Sequence, residues 1–265
     1  MVTVWGKPSL SCIFAAISSN YVTLMNSKPQ TDKRSLAIMQ PYIFPYIGYF
    51  QLINAVDKFV IYDDVNFIKR GWIHRNNILV NGNTNMFSVP LSKPSQNSLI
   101  NEVELGDLKR WKEKFMITVE QSYKKAPHFE EVFELINRVL SDNNTHIGKL
   151  VLRSIEEVCK YLGISTEIET SSAIYGNDEL KGQQRILDTC LKEGANHYIN
   201  PTGGRELYDK QLFADNGVLL NFIKSEEVPY AQFKNEFKPW LSIIDVLMFN
   251  DIETTRKLLT KFTLS

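Results

Sequence analysis

Between Leu36 and Tyr62 the chain sets two short apolar runs around a proline-bracketed turn and one helical repeat, an order that few folds accommodate. Leu36-Ala-Ile-Met-Gln40 reads as a buried strand. Pro41 and Pro45 keep the next residues out of a helix, because proline fixes its own φ and restricts the residue before it. From Tyr46, apolar side chains at Phe50, Ile53 and Val56 recur at helical spacing. Lys58-Phe-Val-Ile-Tyr62 is a second strand and runs into Asp63-Asp64. Strand, helix and strand in so short a span predict a parallel pair joined by a crossover.

The alternation returns later in the chain. Thr166 to Glu169, Ala195 to Asn200 and Val218 to Ile223 read as strands. Gly182 to Glu193, Arg205 to Asp215, Ser242 to Met248 and Ile252 to Phe262 read as helices. Between the two halves, Asn77 to Val80 and Met86 to Pro90 flank Asn81-Gly82-Asn83, a hairpin signal. Three helices follow, over Asp107 to Ala126, Phe129 to Leu140 and His146 to Leu162, the last stopped by Gly163. The predicted class is α/β, a Rossmann-like parallel sheet core with a helical insertion over 107–163 and a small β-hairpin. Residues 35–265 are expected to form one domain. Residues 1–34 read as a disordered extension, or as the product of an upstream start codon with Met25 as the true first residue.

Charge narrows the function classes. Lys plus Arg and Asp plus Glu both number 30, so the net charge is zero and no overall basic field exists to hold a nucleic acid. A local basic site is still compatible with that balance. No apolar run approaches the roughly 20 residues of a membrane span. Cys12, Cys159 and Cys190 are widely spaced without a Cys-x-x-Cys pair, which fits core thiols in a reducing compartment and a cytoplasmic protein.

Parallel sheets bind ligands at the carboxyl ends of their strands, and three polar clusters fall there. The first is Gln40-Pro-Tyr42-x-x-Pro45-x-x-Gly48-Tyr49, where Gly48 would let backbone approach a ligand. The alternative is a rigid turn whose aromatic residues pack the core. The second holds Asp63, Asp64 and Asn66, then Lys69, Arg70, Trp72, His74, Arg75 and Asn76. A strand-end carboxylate there could ligate Mg²⁺, with Lys69 and Arg75 on phosphate and Trp72 as a platform for a sugar or base. Alternation along the strand sends only one of Asp63 and Asp64 into a site. His74 is the one histidine suited to acid–base work. A solvated loop with mutual ion pairs explains the cluster about as well. The third, Asn200-Pro-Thr-Gly203-Gly204, is either an anion cradle, with Arg205 and Tyr208 nearby, or a tight connection.

The first cluster resembles the opening motif of the WbqC-like family, Gln-Pro-x-x-x-Pro-x-x-Gly-Tyr-Phe, which stands here as Gln40 through Phe50. The resemblance continues at Asp57, Asp63-Asp64, Lys69, Trp72, Arg75-Asn76 and Val89-Pro90. It returns at Asn200 to Gly204, Tyr208, Tyr230, Gln232, Phe237 and Leu241 to Asn250. The resemblance implies a role in bacterial surface-polysaccharide gene clusters, notably those for O-antigen, without fixing the reaction. Pro45-x-x-Gly48-Tyr49-x-x-Leu52-Ile53 is also similar to the first loop of the HIGH-type nucleotidyltransferases, which receives nucleotide phosphates. Here Tyr49 replaces the second histidine, Tyr46 stands near the first, and no Lys-Met-Ser-Lys-Ser loop is present.

Together these readings predict a transferase of surface-polysaccharide precursors acting on a nucleotide or sugar nucleotide. Asp63, Asp64, Tyr49 and His74 would be its reacting groups. Gln40, Tyr42, Gly48, Lys69, Trp72, Arg75, Asn76, Asn200, Gly203, Gly204, Tyr230 and Gln232 would bind substrate, with catalysis by positioning and charge stabilisation. The alternatives are a non-catalytic binding or scaffold protein of the same pathway, and acyl or aminoacyl transfer to a sugar amine.

Overall fold

The computed structural model describes residues 33–95, 97–141 and 144–265. The expectations for the leader, Met25 and Cys12 lie almost wholly outside them. Residues 34–265 form one compact unit.

Its centre is a six-stranded sheet. Strand β1 (Ser35–Met39) pairs in parallel with β2 (Lys58–Ile61) on one side and β6 (His197–Pro201) on the other. Outside these lie β5 (Glu167–Glu169) and β7 (Leu219–Ser225), also parallel. Taken in chain order, the five parallel strands run 3-2-1-4-5, a doubly wound arrangement whose switch point lies between β1 and β6. Both central strands are apolar because helices or loops cover both faces, so nearly every residue of β1 and β2 is buried. Lys58 is the exception. Its ammonium is buried at the amino end of β2, where it pairs with Glu193 at 2.9 Å and Glu167 at 3.0 Å.

One face carries α1 (Ile47–Asn54), α2 (Leu108–Tyr123), α3 (Phe129–Leu140), α4 (Ile147–Leu162), α7 (Ile243–Phe249) and α8 (Ile252–Leu258). Phe50, Phe59, Ile136, Val151 and Leu247 belong to one continuous core there, so α2 to α4 share the sheet's own interior. The other face carries α5 (Gly182–Lys192) and α6 (Lys210–Asp215) over Leu36, Val60, Tyr198 and Phe222. A two-stranded antiparallel sheet, β3 (Arg75–Val80) and β4 (Asn83–Ser88), stands apart, joined by Asn81-Gly82. Both turn residues have positive φ, as this turn demands. Gly163 ends α4 in the left-handed conformation.

Two expected elements differ. The helix predicted over Arg205 to Asp215 is a 3-10 turn (Thr202–Leu207) followed by a separate α6, because Asp209 caps a new start through Gln211 N. The last helix stops at Leu258, and β8 (Phe262–Leu264) adds antiparallel to β7. A three-residue edge strand has too little alternation to register against the preceding helical pattern.

Candidate functional site

The turn from Gln40 to Tyr46 is fixed from four directions. Asn76 Nδ2 donates to the carbonyls of Ile43 (3.2 Å) and Phe44 (2.8 Å), and Ser242 Oγ donates to the Phe44 carbonyl at 2.6 Å. The Phe44 amide donates to Ser154 Oγ at 3.3 Å, and the Ile43 amide to the Ile73 carbonyl at 3.0 Å. These bonds hold Phe44 at φ 40, a strained value for a side chain of that size. The turn thereby projects Tyr42 and Tyr46 outward at the carboxyl edge of β1.

Four aromatic rings then line a slot of about 270 Å³: Tyr42, Tyr46, Trp72 and Trp240, with Pro45 and Asn76 completing it. Trp72 and Trp240 are 44% and 55% exposed, unusual for indoles and available to stack on a flat ligand. Trp240 itself is held at φ 60. A second cleft, of about 750 Å³, opens beyond the carboxyl ends of β6 and β7. Pro201, Gly203, Lys224, Ser225, Glu226 and Glu227 line it, with Gly48 at the start of α1. Tyr46 and Trp240 belong to both spaces, so the two rings form the wall between slot and cleft.

Helix α1 starts without a side-chain cap and with no acidic residue in its first turn. The helix start therefore brings no carboxylate of its own to the cleft, where Glu226 and Glu227 stand, and its Tyr49 amide is bonded to the Tyr46 carbonyl at 3.0 Å. The approach to Gly48 is occupied, however. A β-carbon there would collide with the Tyr46 ring and Ser225 Oγ, so close packing of these two side chains is what requires glycine. Burial raises the pKa of the Tyr46 hydroxyl, and the neighbouring Ser225 opposes that shift.

The remaining predicted site residues divide by what they touch. Tyr49 is buried, its hydroxyl donates to the Gln40 carbonyl at 3.0 Å, and burial raises its pKa well above the ordinary phenol value. Asp63 accepts from Ser171 Oγ at 2.7 Å and the Ser172 amide at 3.2 Å, and burial raises its pKa. Asp64, like Asp63, lies beyond the last residue of β2 and beside the same serine pair. It accepts from Ser172 Oγ and pairs with Arg185 at 2.5 Å. The two carboxylates thus tie the end of β2 to the turn after β5. Among the described residues, no group of three or more His, Cys, Asp and Glu side chains is placed to hold a metal ion.

Arg75 turns its guanidinium back onto the Gly71 carbonyl at 2.9 Å and the Arg70 carbonyl, over the Trp72 ring, so it braces the platform. Lys69 is exposed and lines neither space. His74 packs on Phe67 with ring centroids 5.4 Å apart, and burial together with Arg75 lowers its pKa. Asn200 donates to the Tyr198 hydroxyl at 2.7 Å, while its Oδ1 and Tyr208 fill the space a β-carbon at Gly204 would need. That half of the third cluster is a tight connection, while Pro201, Thr202 and Gly203 border the cleft. Arg205 bonds Ser265 Oγ at 2.5 Å and lies over Phe222, away from the mouth.

Gln232 is fully buried and clamps its own loop, donating to the Lys238 carbonyl at 3.1 Å and accepting from the Lys238 amide at 2.7 Å. It also donates to Asp245 at 2.6 Å, as do the Tyr230 and Tyr123 hydroxyls at 2.7 and 2.8 Å. Asp245 therefore anchors the loop that carries Trp240. Neither thiol is a nucleophile in this setting, since burial pushes Cys159 and Cys190 up to about 12.

Sequence reasoning missed Trp240, Ser225, Glu226, Glu227 and Arg185 as site or positioning residues. Trp240 stands in a Pro- and aromatic-rich stretch, which was the one available signal. The two glutamates carry no pattern that separates them from a solvated charge pair.

The structure is that of a doubly wound α/β protein with two adjoining clefts at the carboxyl edge of its sheet. The family model of the WbqC-like protein family matches residues 40–257, and the chain belongs to that family. It is 30% identical over 221 residues to the uncharacterized protein Rv1507c of Mycobacterium tuberculosis, a match covering 82% of this chain and 94% of the relative. No solved structure matches significantly. No helix among the described residues is long and apolar enough to cross a membrane.

Proposed function

We propose that the chain is a transferase of bacterial surface-polysaccharide precursor assembly that binds a nucleotide-activated sugar across the Tyr46–Trp240 wall. The observation that carries this reading is the aromatic slot sharing that wall with a polar cleft beside the switch point. A sugar or base needs flat apolar faces, and aromatic rings provide them. The phosphates need donors, and Lys224, the Gly203 backbone and the uncapped start of α1 lie around the cleft. Glu226 and Glu227 would supply the base for an attacking hydroxyl or amine. Tyr46 must swing off Gly48 for phosphate to reach the α1 amides.

A second reading, a non-catalytic binder of the same pathway, is favoured by the engagement of Tyr49, Asp63 and Asp64 within the protein. Thermal stabilisation by sugar nucleotides, followed by assays for phosphate or pyrophosphate release, separates the two. Stabilisation with turnover that is lost in Glu227→Gln or Glu226→Gln supports transfer. Stabilisation without turnover on any acceptor supports the binder, and no stabilisation overturns both.

A further inference from the structure

A third cleft, of about 700 Å³, lies between the Asn81-Gly82 hairpin turn, the carboxyl end of α2 and the segment 233–235. Its charged lining residues are Lys124, Lys125 and Lys234, without a carboxylate among them. None of the three makes an ion pair among the described residues. In a chain with 30 basic and 30 acidic residues, this is a marked local excess of one sign. Gln121, Asn81 and Asn235 add amide groups. Phe233 stands at the wall with 40% of its surface exposed and φ 56, a conformation that a bulky residue rarely adopts. Asn235 docks against Gly82, since a β-carbon at Gly82 would meet its Oδ1 at 2.8 Å. The wall is therefore built, not a loose fringe of lysines. Lys124 and Lys125 at the helix end also offset the helix dipole, but that does not explain Lys234, and Phe233, which packs edge-to-face on Phe249 at 4.8 Å, still leaves ring surface at the cleft.

We infer that this cleft is a second binding site, for a small phosphate ester whose phosphate lies among Lys124, Lys125 and Lys234 and whose organic part rests on Phe233. The volume is that of small-molecule sites, and ammonium groups with amide donors are the partners phosphate oxygens require. The site shares the segment 226–241 with Trp240 but none of the residues of slot or cleft.

The test is calorimetric titration of the full chain with phenyl phosphate and with inorganic phosphate at low salt. The wild type is expected to bind phenyl phosphate more tightly than inorganic phosphate. Lys125→Gln/Lys234→Gln should weaken both by about tenfold or more, the scale of two lost charge-assisted contacts. Phe233→Asn keeps a residue that tolerates positive φ and should erase the preference for the phenyl ester. Trp240→Ala should leave both affinities within about twofold, as expected for a residue outside the site. The two lysines are exposed, whereas Phe233 and Trp240 also pack on Phe249 and Tyr46, so thermal unfolding of each variant confirms that it is folded before titration. Failure of the wild type to saturate, unchanged binding in the lysine variant, or loss in Trp240→Ala instead would each overturn the inference.

Discussion

The indole of Trp240 meets the ring of Tyr46 edge-on, with centroids 6.0 Å apart and planes at 68°. Tyr46 precedes α1 and Trp240 closes the 226–241 loop, so this contact joins the sheet's first turn to its last loop. It also separates the slot from the cleft. Trp240 is exposed and makes few structural demands, so Trp240→Ala is expected to change stability by no more than about 0.5 kcal/mol. Affinity for the sugar nucleotide should fall about tenfold, the scale of a lost stacking partner. Urea unfolding and calorimetry check the two halves.

Asn76 borders the slot and also has a structural role. Its amide holds Ile43 and Phe44 carbonyls inside the protein. Asn76→Ala would leave buried carbonyls short of donors and should cost about 1–3 kcal/mol in urea unfolding. A loss of ligand binding in that variant would follow from displacement of Tyr42 and Tyr46 and come with the stability loss, whereas Trp72→Ala should weaken binding without it.

Asp64 and Arg185 are both nearly buried, at 10% and 4% side-chain exposure. Asp64→Ala strands the guanidinium and is expected to cost about 3–5 kcal/mol, while Asp64→Leu/Arg185→Met should recover much of it. If Asp64 acted as a catalytic group instead, the double variant would be stable yet inactive. Unfolding and turnover measured together distinguish these.

Burial raises the pKa of Asp245, although its three hydrogen-bond donors oppose the shift. A carboxyl raised in the fold contributes stability that is full below its unfolded value, the ordinary 3.8 of an aspartate. That contribution is lost as pH rises through the folded value. As pH rises from the unfolded value through the raised folded value, Asp245 therefore makes the wild type less stable. In Asp245→Asn this contribution disappears, so its stability profile over that window should be flatter. Denaturant midpoints across pH measure it.

Gly48 is boxed in by Tyr46 and Ser225. Gly48→Ala should destabilise by about 1–3 kcal/mol through overpacking, and adding Ser225→Ala should restore part of the loss. Recovery in the double variant, read by thermal unfolding, identifies the contact as the cause.

The doubly wound core was legible because its signals are local. Leu36 to Met39 is apolar on both faces, Pro41 and Pro45 punctuate the turn, and Phe50 and Ile53 keep helical spacing. The site was legible only in outline. Tyr42, Trp72, Gly48 and Gly203 do border the slot or cleft. Gln232, Tyr49 and Asn200 look alike in sequence but spend their polar atoms inside the protein. Whether a polar side chain faces a ligand or a backbone carbonyl depends on partners far along the chain, as Asn76 and Ser242 on Phe44 demonstrate. The Trp240 contact depends on a loop about 190 residues beyond Tyr46, and no local spacing encodes such a pairing.

The central claim is that one ligand spans the Tyr46–Trp240 wall. Calorimetric titration of the wild type and Trp240→Ala with a panel of uridine, guanosine, cytidine and thymidine diphosphate sugars tests it most directly. The account predicts saturable binding of at least one member, weakened about tenfold in Trp240→Ala and unchanged in Lys125→Gln/Lys234→Gln. Absence of binding across the panel, or equal affinity in Trp240→Ala, would contradict it.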